Sequence, residues 1–167
     1  MAVTQFGHLA YICEDLEASV KFYRDVLGLK QKFVIYYGDW LEHMRKGAAE
    51  RGETLPAEQD AALEAKKDKV WIAYMEVGEG AFIELFDKGS ATTHLVPDNR
   101  YFNYSHLSLA TDDIFALEKT LRENGAVIDS PPAMGLEHTY QMWSHDPDGN
   151  RIEFMQYTPK SWQIVGR

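Results

Sequence analysis

The chain has one cysteine, Cys13, so no intrachain disulfide can staple it. Positive charge is also scarce, with 17 Lys and Arg against 26 Asp and Glu and a formal net charge of -9. A surface of that sign repels phosphate backbones and anionic membranes, which excludes nucleic acid and membrane as expected partners and leaves small molecules. No run approaches the roughly 20 apolar residues that a membrane-crossing helix needs. There is no low-complexity tract. The opening MAVTQFGHLA has neither a basic region nor an apolar one, so a cytoplasmic protein is expected. Against these absences stand 167 residues that are 45% hydrophobic and 13% aromatic, enough to bury the core of one compact domain, residues 1–167.

The chain contains an internal repeat. Laying His8 to Asp25 over His106 to Glu123 matches six of 18 positions: the His-Leu pair, Asp15 with Asp113, Ala18 with Ala116, Lys21 with Lys119, and Arg24 with Arg122. Each copy reads as an alternating strand, an acidic helix start and an amphipathic helix. Glycine follows each helix, Gly28 or Gly125, where a C-terminus favours a left-handed residue. Each copy closes on an apolar strand with one glutamate, AFIELFD around Glu84 and NRIEFMQ around Glu153. Turn signals precede both, Gly78 with Gly80 and Asp146-Pro147-Asp148-Gly149, so each glutamate belongs to the second strand of a hairpin.

Further strands are expected near 31–37 and 70–77 in the first copy, and near 126–129 and 138–144 in the second. The fold class is therefore α+β, two β-α-β-β-β repeats forming a curved mixed sheet, with the first repeat at 4–88 and the second at 101–158. His and Glu are 76 residues apart in the first copy and 47 in the second. The excess falls at about 40–69, read as an insertion of two short helices from the capping pattern of Asp39 with Glu42 and from Pro56. The polar segment Lys88 to Arg100, with Pro97, reads as the linker between repeats.

Alternate residues of a strand share a face. His8 then lies with Phe6, Ala10 and Ile12; His106 with Tyr104, Ser108 and Ala110; Glu84 with Phe82 and Phe86; Glu153 with Arg151 and Met155. The opposite faces are apolar. Two imidazoles and two carboxylates on one concave surface would repel or stay unsatisfied without a divalent cation, so His8, Glu84, His106 and Glu153 are the candidate metal ligands.

These residues carry a family resemblance. His8 with EDLEASVKFYRDVLGL, the IELFD segment, His106 with DDI and the ending DPDGNRIEFMQ resemble the vicinal oxygen chelate superfamily, and within it glyoxalase I, or lactoylglutathione lyase. The resemblance implies the glyoxalase/bleomycin-resistance/dioxygenase fold around one divalent ion, Ni, Co or Zn rather than Fe or Mn. It also implies lyase or isomerase chemistry by proton transfer on a metal-chelated α-oxygenated carbonyl compound, such as a hemithioacetal of methylglyoxal. Glu153 or Glu84 would be the catalytic base. The chain departs from glutathione-using members at Ile12, where they carry an arginine, and at Lys88, where they carry an asparagine.

Phe6, Phe82, Tyr104, His138, Tyr140 and Met155 are candidate substrate contacts in an aromatic cup. His43 and His94 read as solvated, His145 as a cap of the adjacent turn, and Cys13 as a buried thiol. The charged insertion reads most simply as a solvated face, with a lid or a subunit contact through Trp40, Leu41 and Met44 as the open alternative. Competing functions are an extradiol-type dioxygenase or an epimerase of the same superfamily, and a metal-free bleomycin-resistance-like protein that sequesters a ligand. A homodimer and pairing of the two halves within one chain both stay open.

Overall fold

The computed structural model describes residues 5–93 and 104–166. The expected linker from residue 94 onward, with His94 and Pro97, lies outside the described residues. The chain forms two compact units, one of Met1–Val20 with Leu29–Ser90 and one of Lys21–Gly28 with Ala91–Arg167. Among the described residues no helix is long and apolar enough to cross a membrane.

The first unit carries a four-stranded sheet in the order β1-β4-β3-β2, from β1 (His8–Cys13), β2 (Lys30–Tyr36), β3 (Val70–Gly78) and β4 (Ala81–Asp87). The glycine-bounded turn makes β3 and β4 an antiparallel hairpin, while β1 joins β4 in parallel. One face of this sheet is buried through Tyr11, Cys13, Ala73, Met75, Ile83 and Leu85. Burial alternates along β1, with Tyr11 and Cys13 buried and His8, Ala10 and Ile12 exposed, as the two faces of a strand require.

The second unit repeats the plan, with β5 (Leu107–Ala110), β6 (Ile128–Met134), β7 (Tyr140–His145) and β8 (Arg151–Gln156) in the order β5-β8-β7-β6. Both sheets are mixed and open, and the architecture is α+β. Strand β6 lies at the sheet edge and holds Pro131 and Pro132 in a stretch where the pairing slips between Ser130 and Ala133. Only an edge or an irregularity tolerates two missing N–H donors. This strand extends past the expected 126–129 because the chain rejoins the ladder after the prolines.

The duplicated aspartates act alike. Asp15 accepts from the Ala18 N–H at 3.0 Å ahead of α1 (Leu16–Lys21), and Asp113 accepts from the Ala116 N–H at 2.9 Å at the head of α4 (Ile114–Glu123). Helix α1 runs on into a π-helical turn, Phe22–Val26, closed by the Leu27 N–H donating to the Phe22 carbonyl. Gly28 and Gly125 follow at φ 75° and 86°. Helix α4 packs on β6, β7 and β8, burying Ile114 and Leu121 with Met142, Ile152 and Phe154 available on the sheet.

The insertion is α2 (Tyr37–Glu50) and α3 (Ala57–Glu64). Helix α2 starts earlier than its expected Asp39 cap. Asp39 is its third residue, and the carboxylate reaches back to the Tyr36 N–H at 2.7 Å. Tyr37, Leu41 and Leu63 form a small core with Trp40, Met44, Leu55 and Trp71 packed against it. Arg45 of α2 ties the pair by donating to Asp60 at 2.7 and 2.8 Å and to Glu64 at 3.0 Å.

Candidate metal and substrate site

In the first unit the parallel ladder sets Ala10 beside Glu84, and His8 is two residues earlier on the same face. The His8 Nδ1 lies 3.3 Å from the Glu84 Oε1. In the second unit Ser108 sits beside Glu153, again with the histidine two residues earlier, and the His106 Nε2 lies 3.4 Å from the Glu153 Oε2. Both carboxylate residues are 6% exposed, so each is an acid held in a largely desolvated place with one imidazole for company. The repeat in the sequence has become a repeat in register.

The other side of each glutamate differs between units. Across β3 and β4, Tyr74 stands directly opposite Glu84. Burial and the neighbouring negative charge push the Tyr74 hydroxyl up to about 12. The ring is held by Phe33, stacked at 4.2 Å, and by Phe82, edge-on at 6.0 Å. Opposite Glu153 stands Trp143, which meets the His106 ring edge-on at 4.8 Å and carries the Arg151 guanidinium over its face at 4.3 Å. The Ser105 hydroxyl lies 3.0 Å from the His106 Nδ1, which leaves Nε2 as the nitrogen turned to the carboxylate.

Of the expected substrate contacts, Phe82 and Met155 share the faces of Glu84 and Glu153. Phe6 is 62% exposed just ahead of β1, and Tyr104 is half-buried two residues before His106. Two others lie elsewhere in the second unit. Tyr140 alternates with the buried Met142 and Ser144, and it packs on Phe115 of α4 at 5.3 Å, so it belongs to the helix-covered face and not to the face of Glu153. His138 precedes β7 in an exposed turn at φ 60°, with its carbonyl accepting from the Thr158 and Ser161 hydroxyls and its ring edge-on to Trp162 at 6.1 Å. His145 does not cap the DPDG turn. Its Nδ1 lies 2.9 Å from the Asp129 carboxylate, on neighbouring β6.

The turn is capped by its own aspartate. Asp146 accepts at Oδ1 from the Asp148 and Asn150 N–H groups and at Oδ2 from the Asn150 amide and the Tyr23 hydroxyl, all within 2.8–3.0 Å. Burial pushes its carboxyl up, opposed by the bonds from Asn150 and Tyr23. This clamp holds the hairpin that presents Glu153.

Does this donor set fit a metal ion? Among the described residues neither unit gathers three His, Cys, Asp or Glu side chains into a metal-binding group. Each unit offers one imidazole and one carboxylate. An imidazole nitrogen and carboxylate oxygens are donors of the type that Ni, Co or Zn takes, so the fit holds at the level of ligand type within each unit.

The chain is similar to known proteins over most of its length. The family model described as the Glyoxalase/Bleomycin resistance protein/Dioxygenase superfamily matches residues 5–154. The chain is 27% identical over 150 residues to a probable lactoylglutathione lyase of Synechocystis sp., covering 87% of this chain and 90% of that protein. It is 28% identical over 143 residues to a lactoylglutathione lyase of Neisseria meningitidis serogroup A, covering 85% and 83%. Among solved structures, a glyoxalase/dioxygenase from Nostoc punctiforme superposes with a TM-score of 0.59 at 21% identity, over 92% of this chain and 91% of that one, a likeness of fold.

Proposed function

From the premise that this chain belongs to the glyoxalase/bleomycin resistance protein/dioxygenase superfamily, we propose that it is a metal-dependent lyase or isomerase of the glyoxalase I type. His8, Glu84, His106 and Glu153 would hold one divalent ion, Ni, Co or Zn, with the two pairs supplied by one chain or by two copies in a homodimer. The observation that carries this reading is the duplicated pairing: a buried glutamate beside a histidine, at the same ladder position in both sheets. Family relatives named lactoylglutathione lyase support the activity class at 24–28% identity.

When bound, the ion supplies Lewis-acid polarisation to a substrate with two neighbouring oxygens, which acidifies the adjacent C–H. The proton then needs a carboxylate to carry it. Glu153 is the favoured carrier, taking the proton from one carbon and returning it to the neighbouring one, with Glu84 as the alternative. Their burial keeps bulk water from competing for that proton. Phe82 and Met155, on the faces of Glu84 and Glu153, offer apolar contact to the substrate's carbon skeleton. The substrate class is an α-oxygenated carbonyl compound, a hemithioacetal of methylglyoxal among them.

Equilibrium dialysis followed by metal analysis tests the ligand set. One equivalent of metal per chain is expected for the intact protein, whether the pairs meet within a chain or between two, and Glu84→Ala and Glu153→Ala should each lose it. Absence of stoichiometric metal in the intact protein, or retention in both variants, would overturn the assignment. Metal-loaded protein offered methylglyoxal with glutathione, with other thiols and with no thiol then reads the activity.

A further inference from the structure

We infer that Arg151 is a specificity-determining residue of this site, and that the substrate carries a carboxylate set apart from the two oxygens that meet the metal. The inference rests on the proposed ligand set and deepens it by naming the substrate class. Arg151 comes two residues before Glu153 on β8, so the two side chains leave the same face of the sheet. Its guanidinium lies over the Trp143 ring at 4.3 Å, and the same ring meets His106 edge-on at 4.8 Å. One indole therefore stands between this cation and a proposed metal ligand. In the first unit the matching position, two residues before Glu84, is Phe82. The duplicated plan is kept for the ligands and broken at this neighbour, apolar in one unit and cationic in the other.

Arg151 also differs from the other arginines in its company. Acids outnumber bases in this chain, 26 to 17, and Arg24 pairs with Asp25, Arg45 with Asp60 and Glu64, Arg51 with Glu53, and Arg122 with Glu118. Arg151 alone of the described arginines has no carboxylate at ion-pair distance among the described residues, and an aromatic ring is its partner instead. Two acids of the same sheet are engaged elsewhere. His145, opposite Arg151 across β7 and β8, takes Asp129 at 2.9 Å, and Glu153 turns to His106 at 3.4 Å. Contact with an indole leaves the guanidinium its fork of N–H donors, which matches a carboxylate with two parallel bonds. The ring also steadies a long side chain, which lowers the entropy that gripping an anion would cost.

The test uses the full chain loaded with Ni²⁺, its metal content measured first, and two probes that differ in one group. 2-Oxoglutarate and 2-oxopentanoate share a keto-acid end with two neighbouring oxygens and a chain of the same length, but only the first has a second carboxylate at its far end. Calorimetric titration of the intact chain should show 2-oxoglutarate bound about tenfold more tightly, the size of one charge-assisted contact. Arg151→Met keeps a long stem and removes the charge. It should keep its metal and erase the preference, weakening 2-oxoglutarate while 2-oxopentanoate binds as before. An intact Ni²⁺-loaded chain that prefers neither probe, or an Arg151→Met variant that weakens both equally or neither, overturns the inference and leaves the ligand set standing. An intact chain without stoichiometric Ni²⁺ overturns the ligand set, and the inference falls with it.

Discussion

Tyr23→Phe offers a sharp test of how the second unit holds the hairpin that carries Glu153. Tyr23 is 0% exposed and donates at 3.0 Å to Asp146, which is 2% exposed and collects three further donors. The substitution keeps the ring, so it opens almost no cavity and removes one hydrogen bond to a charged acceptor, worth about 1.5–3 kcal/mol. For a chain of this length each kcal/mol moves Tm by roughly 2–4 °C, so a fall of roughly 3–12 °C is expected. Asp146→Ala should cost more, about 3–5 kcal/mol, because it removes a buried acceptor of four hydrogen bonds at once. A double-mutant cycle by urea denaturation should give coupling of about 1–2 kcal/mol between the two positions. Coupling under about 0.5 kcal/mol would refute the clamp.

The same aspartate sets a pH dependence. Its folded-state pKa is raised above its ordinary 3.8, so the unfolded chain releases the proton at lower pH than the folded one. Stability from this group is therefore fully present below 3.8 and declines as pH rises through the folded value, then levels off. Asp146→Asn lacks this slope. The stability of the natural chain relative to Asp146→Asn should fall across that window, and a difference that grows with pH instead would mean that the four donors outweigh burial.

Three further outcomes are expected. Leu41→Ala empties part of the small core between α2 and α3, where Leu41 is 2% exposed, and should destabilise by about 2–5 kcal/mol, read by denaturant titration. Gly125→Ala forces a side chain onto φ 86° although no atom lies within 4 Å of the new Cβ, so a loss of about 1–2 kcal/mol should come from the backbone alone; Gly125→Asn should lose less. Arg45→Ala breaks an exposed ion-pair cluster with Asp60 and Glu64, and Tm should move by no more than about 3 °C, less in high salt.

The sequence by itself determined the α+β class, the duplicated order of elements and the matching places of His8, His106, Glu84 and Glu153. Those features are local. Strand alternation, an aspartate seven residues after each histidine and a turn before each glutamate act over a few residues, so periodicity and spacing expose them. Trp143 opposite Glu153 belongs to the same class, because the β7–β8 ladder keeps one register from end to end and can be counted outward from the DPDG turn.

Tertiary structure decided the rest. Counting from the Gly78–Ala81 pair would set Tyr74 opposite Leu85, and an irregularity between Glu76 and Gly78 shifts the ladder by one, which brings Tyr74 to Glu84. Tyr140 looked like a site residue from its place near the turn, but its strand's alternation and the seating of Phe115 turn it to α4. The bond from Tyr23 to Asp146 spans 123 residues, and His145 finds Asp129 on the edge strand. Such partners depend on register slips and on which elements pack together, energies summed over whole sheets, and no short stretch of sequence contains them.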